Sequence, residues 1–166
     1  MKITFAPKGI VQIDDARIIF RNLSGEGSKY NREGDRNFSI LIDNQEVADA
    51  LIDAGWNVRI KPPREEGESP FMHLPVKVKF NDRGPNVYLK TTDKQISLNE
   101  RTVGMLDRVD IRSVDLDIRP YDWERDGMTG RSAYLHSMRV YQEVDRFAER
   151  FAEEEYPDEL PSFDRF

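Results

Sequence analysis

Side chains able to do covalent or metal chemistry are scarce in this chain. It has two histidines, His73 and His136, and no cysteine. That excludes disulfides and thiolate metal sites and leaves a histidine-rich metal site short of ligands. Asp115-x-Asp117 puts two carboxylates on one face of a strand, an arrangement that can hold Mg²⁺. No further acid cluster is placed to complete such a site, so the pair reads as a solvated strand face. Gly25-x-Gly27 lacks the Gly-Lys-Ser/Thr ending of a phosphate loop and the third glycine of a dinucleotide fingerprint. There is no nucleophile elbow. His73 and His136 read as structural or contact residues, and the expectation is a non-enzyme without cofactor or metal.

What the sequence does offer is cations interleaved with aromatic rings. Lys29, Tyr30, Arg32 and Arg36 fall within eight residues. Strand-like segments carry Arg59 and Lys61, Lys77 and Lys79, then Tyr88 and Lys90, with Arg64 and Arg83 in turns beside them. Near the end come Arg119, Tyr121, Trp123, Arg131, Tyr134, Arg139 and Tyr141. Alternating bases and rings suit a single-stranded nucleic acid. The cations follow phosphates, and the rings stack bases at about 1–3 kcal/mol each without reading sequence. Lysines also guard exposed strand edges, so the pattern, and no single residue, carries this expectation. Trp56 and Phe71 are assigned to the core. Trp123, beside a hairpin turn, is open to either assignment.

The charge is unevenly spread. From Glu143 to Phe166 nine acids face three bases, a net −6 that equals the charge of the whole chain. The first 142 residues are neutral. Acidity confined to one end leaves a nucleic-acid-binding body open. No apolar run approaches the ~20 residues of a membrane span, and the first residues do not read as a signal peptide. The expected location is the cytoplasm, that of the host cell if the chain is phage-encoded.

These residues need strands to position them. "GIVQIDDARIIFRNL" predicts a long first strand, followed by a long mobile loop over "SGEGSKYNREGDRN" and a strand over "FSILI". A helix follows, capped by Asp43 with Glu46 in a capping box; Val47, Leu51 and Ala50 face inward and Gly55 ends it. "WNVRI", "LPVKVKF" and "NVYLKT" are strands, the second with Val76, Val78 and Phe80 on one face. Ser97-x-x-Glu100 predicts a capping box and a short helix, and two long strands joined at Asp126-Gly127 close the body. The order predicts a mainly β fold: an OB-fold-like barrel over residues 1–142 with two short helices. An amphipathic C-terminal helix and acidic tail follow over 143–166, with Val144, Phe147, Ala148, Phe151 and Ala152 on one helical stripe.

The segments "YNREGDRNFSI", "GWNVRIKPPREEGE", "DIRPYDWERDGMTGRSAYLHSMRV" and "EEEYPDELPSFDRF" together resemble the single-stranded DNA-binding proteins of tailed phages and prophages. That resemblance implies an OB-fold, sequence-tolerant binding of single-stranded DNA in phage replication or recombination, and no catalysis. It also implies that the tail recruits replication or recombination proteins; a tethered acidic segment at high effective concentration is further expected to compete for the DNA groove. The tail residues concerned are Glu153, Glu154, Glu155, Asp158, Glu159, Phe163, Asp164 and Phe166. Such tails finish on acids before a final phenylalanine; here Arg165 stands between Asp164 and Phe166. Homo-oligomerisation stays open. The rival expectation is a protein-interaction module or DNA-mimic accessory factor acting through the tail, against which the neutral body argues.

Overall fold

The computed structural model describes residues 1–144. The predicted C-terminal helix and tail therefore lie outside the described residues from position 145 onward. Nine strands form one sheet: β1 (Lys2–Phe5), β2 (Val11–Asn22), β3 (Arg36–Ile42), β4 (Arg59–Lys61), β5 (Phe71–Val78), β6 (Asn86–Lys90), β7 (Gln95–Leu98), β8 (Ile111–Arg125) and β9 (Met128–Gln142). Among the described residues, one α-helix, α1 (Gln45–Asp53), and two 3-10 turns, Pro7–Gly9 and Val103–Asp107, complete them.

Antiparallel pairing runs β5–β3–β2–β8–β9, and a parallel contact from β9 back to β5 closes the ring. Five strands joined in that order are the Greek-key barrel of the OB-fold. Alternation builds its core. Phe38 and Ile40 of β3, Leu74 and Val76 of β5, and Val114 and Leu116 of β8 are all buried. Fully burying such a side chain contributes about 1.5–3 kcal/mol. The paired β6 and β7 extend the sheet beyond β9, β4 extends it beyond β5, and β1 lies along β2.

Local signals were partly displaced. The helix begins one residue later than its predicted cap: the Asn44 side chain, not that of Asp43, accepts from the Glu46 and Val47 amides at 2.8 and 3.3 Å. Asparagine and aspartate cap about equally well, so sequence alone could not choose. Ala48 and Leu51 are the buried helix positions, whereas Ala50 is only half-buried. Ser97 caps nothing. It lies in β7, paired with Tyr88, and Asn99 Oδ1 receives the Arg101 and Thr102 amides just ahead of the 3-10 turn. "WNVRI" narrows to β4 because Trp56 turns into the core, 3% exposed. The sequence reading assigned no strand to β1.

The 23–35 loop is tied together rather than loose. Asn31 Nδ2 donates to the carbonyls of Glu26 and Asp35 at 2.8 and 3.0 Å. The amides of Leu23 and Ser24 donate to the Asp107 carboxylate at 2.8 and 3.0 Å. Arg131 makes a second clamp. It grips Asp122 with two nitrogens at 2.7 and 3.1 Å, donates to the Ala54 carbonyl at 3.0 Å and stands 5.6 Å from the Trp56 ring. The closing hairpin is thereby pinned to the end of α1, a positioning role for this arginine.

Candidate nucleic-acid interface

The outward face of the ring collects the polar half of each alternating strand. In β5 the buried Met72, Leu74, Val76 and Val78 leave Phe71, His73, Pro75 and Lys77 outside. Register then fixes their neighbours. Arg59 stands opposite His73 and Lys61 opposite Phe71. Across the barrel closure Lys77 meets Tyr134, which is itself paired with Arg119. Both cations lie over that ring, Lys77 Nζ at 5.9 Å and the Arg119 guanidinium at 4.8 Å from its centroid. Tyr121 packs against Tyr134 at 5.7 Å. Trp123 lies across Gly130, where an added Cβ would overlap the indole, and stays 38% exposed. That places its ring on the surface.

Three hollows lie along this face, the first two of them meeting at Arg59. The first, about 560 Å³, lies among Phe20, Phe71, His73, Arg59 and the Pro62-Pro63 turn. The second, about 470 Å³, shares Arg59 and runs past Lys77, Tyr121 and Trp123. The third, about 400 Å³, lies between Lys79, Arg83, Arg119 and His136. Together they make a trough bordered by eight cations (Arg59, Lys61, Arg64, Lys77, Lys79, Arg83, Arg119 and Arg125) and two acids, Glu68 and Glu124. A body with no net charge thus carries a strongly positive groove, because its charges segregate.

At one end three rings gather. His73 is 5.4 Å from Phe20 and 5.3 Å from Phe71, and Phe20 is 6.1 Å from Phe71. The imidazole Nδ1 is held 3.0 Å from Ser39 Oγ. Burial first, and the Arg59 charge second, hold the His73 pKa below the usual histidine range.

The phage ssDNA-binding domain family matches residues 2–160. The chain belongs to this family. Its fold is similar to that of the single-stranded DNA-binding protein from bacteriophage Enc34. A C-terminal truncation of that protein superposes with a TM-score of 0.54 at 13% identity, over 87% of this chain and 97% of that one. The same protein in complex with ssDNA gives 0.51 at 14% identity, over 87% and 93%. At such identities the likeness is one of fold. A search of curated proteins returned no match.

In this phage ssDNA-binding domain the residues expected to bind divide into three groups. Arg59, Lys61, Arg64, Lys77, Lys79, Arg119 and Tyr121 come together in the trough. Lys29, Tyr30 and Arg32 stand exposed on the 23–35 loop, whose Asn31 Oδ1 receives the Asn37 side-chain amide at 2.9 Å; Asn37 is paired with Lys77. The loop thus rises beside the trough, as the strand 1–2 loop of an OB-fold does. The third group is not gathered there. Arg36 pairs with Val78 and points off the outer face; its guanidinium donates to the Glu100 carbonyl at 3.2 Å and lies 3.9 Å from that carboxylate.

Tyr88, Lys90 and Arg139 belong to the β6–β9 half of the sheet, past an irregularity in the β8–β9 pairing after Asp117. Arg139 is five residues beyond Tyr134, about 15 Å along a strand. There Arg139 donates to Tyr141 Oη at 3.3 Å, and Tyr141 Oη donates to Asp115 at 3.0 Å. Asp115 also accepts the Asp15 amide at 2.9 Å, and Asp117 accepts from Ser137 Oγ at 3.4 Å. Among the described residues no three His, Asp or Glu side chains gather as a metal site, and no helix among them is long and apolar enough to cross a membrane.

The sequence reading missed Phe20 and put Phe71 in the core, although Phe71 is 37% exposed. Phe71 was legible: carrying the period of "LPVKVKF" back three residues, from Leu74 to Phe71, sets it outside with His73. Phe20 gave no such signal, because the parity of β2 changes between Ile19 and Asn22.

Proposed function

We propose that this chain binds single-stranded DNA along the trough, tolerantly of sequence and without catalysis, in phage DNA replication or recombination. The observation that carries this reading is the cluster of Lys77, Tyr134 and Arg119 within an eight-cation groove in a member of this family. Such a groove tracks phosphates while its rings stack bases of any kind. Glu153 to Asp164, with Phe163 and Phe166, supply a tethered polyanion. At high effective concentration it competes for the same cations and, once released, engages replication proteins.

The test is a fluorescence titration of the full chain with oligo-dT, read through Trp123, at several salt concentrations. Single strands release about 0.7 counterion per neutralised phosphate. Eight trough cations, with Lys29 and Arg32 of the adjoining loop, therefore set a log–log salt slope no steeper than about −7. A chain ending at Gln142 binds more tightly at low salt. Failure of both chains to bind, or binding of duplex as tight as that of single strand, contradicts the proposal.

His73 adds a pH dependence. Its depressed pKa means that the unfolded chain takes up this proton more readily than the folded one. Its contribution to stability is full above about pH 6.5 and is lost as pH falls through the lower folded value. A phosphate drawn in by Arg59 acts the other way, because negative charge favours the imidazolium. The groups facing the ring are Phe20 from β2, Ser39 from β3, Arg59 and Lys61 from β4, and Arg64 and Glu68 from the loop that follows. The expected outcome is that affinity for oligo-dT rises roughly several-fold from pH 7.5 to 5.5. Calorimetry in two buffers of different ionisation heat shows proton uptake, and His73→Gln loses most of it.

A further inference from the structure

We propose that Phe20, Phe71 and His73 form a seat for one unpaired base at the β4 end of the trough. The proposal rests on the single-stranded DNA reading above and deepens it.

The backbone of β2 carries the argument. Ile18 pairs with Ile40 and Ile19 with Ser39, so simple alternation would turn Phe20 inward. Instead the register slips between Ile19 and Asn22, and Phe20 sits at φ 53°. A β-bulge re-aims a side chain, and here it turns a phenyl ring out of the core, leaving it 63% exposed. Both features cost stability: a bulky L-residue at positive φ is strained, and a large apolar ring is left in water. Glycine or asparagine would fit that backbone better. Strain of this kind gathers at functional positions, and what it achieves is the contact with Phe71 and His73.

The seat has the chemistry of a nucleotide. Three rings meet edge-to-face or tilted, within 5.3–6.1 Å of one another, beside an open hollow of about 560 Å³. Pro62 and Pro63 give the hollow an apolar wall, and Arg59 and Lys61 stand on the same outer face within reach of a phosphate. A base already stacked and paired in duplex has no free face to offer these rings. The seat therefore contributes to single-strand binding and not to duplex binding.

The test uses the full chain with two probes of equal length, oligo-dT and an oligonucleotide with abasic sugars. Phe20→Gly suits the left-handed backbone, so it melts at the same temperature as the parent or higher. It binds oligo-dT about tenfold more weakly and the abasic probe as well as the parent does. Phe71→Leu, which keeps apolar volume without a ring, shows the same split. Phe20→Trp retains the affinity. Oligo-dT binding by Phe20→Gly that matches the parent overturns the seat while leaving the trough intact. Equal losses on both probes overturn it too, since the role is then structural. A parent chain that binds neither probe contradicts the single-stranded DNA reading itself, and the seat falls with it.

Discussion

Replacing Lys77 and Arg119 together by alanine lowers affinity for oligo-dT on the order of 60-fold at 50 mM salt and only about threefold at 0.5 M. The two figures share one cause. Each cation stands on Tyr134, at 5.9 and 4.8 Å from its centroid, and each faces the trough. Losing two phosphate contacts makes the log–log salt slope shallower by about 1.4, and the affinity lost grows in proportion as salt falls below 1 M. The fold should tolerate the change. Lys77 is exposed and Arg119 half-buried at the surface, and cation–π contacts at such sites contribute about 0.5–1 kcal/mol. Binding isotherms at four salt concentrations check both halves. A slope unchanged from the parent would show that DNA does not pass between these residues, whatever happened to affinity at one salt.

The second large effect contrasts two phenylalanines. Phe38→Ala costs about 3–5 kcal/mol of folding stability. Phe38 is 1% exposed in the barrel, paired with Val76, and its removal leaves a cavity that a closed five-stranded ring cannot collapse to fill. Phe71→Ala costs about 1 kcal/mol or less, since its ring is already partly in water. The consequences for binding are reversed. Phe71→Ala loses affinity at full folded population, whereas folded Phe38→Ala keeps it. Chemical denaturation of both variants, followed by titration of each at low temperature, separates the two roles. Equal destabilisation would return Phe71 to the core, where sequence reasoning had placed it.

That contrast shows what the sequence could and could not reveal. Strands with clean alternation, such as "LPVKVKF", announced both their faces, and strand order with a short helix before the closing hairpin was enough to expect an OB-like barrel. The cations of β4, β5 and β8 were legible as outward residues for the same reason. Three features were not. Arg36 was expected in the loop, but β3 begins there, two residues ahead of "FSILI", and its register with Val78 turns it off the outer face to meet Glu100. Tyr88 and Arg139 lie on exposed faces as expected, but β6 joins β9 beyond the point where β5 leaves it. Which half of a fifteen-residue strand faces the trough is a property of barrel closure, with no local signature. Phe20 depends on a bulge, which adds one residue to one strand and reverses the parity of everything after it. No glycine marks the spot. A sequence argument from period two must fail there, and a failure of this kind is expected where function is built into strain.

The central claim is that single-stranded DNA lies on the β3–β5–β9–β8 face and not on the β6–β7 flank. Photocrosslinking of the full chain to oligonucleotides carrying 5-iododeoxyuridine, with the linked residues mapped by mass spectrometry, tests it most directly. The expected crosslinks fall on Phe20, Phe71, Tyr121, Trp123 and Tyr134. Crosslinks concentrated on Tyr88 and Tyr141 would contradict it.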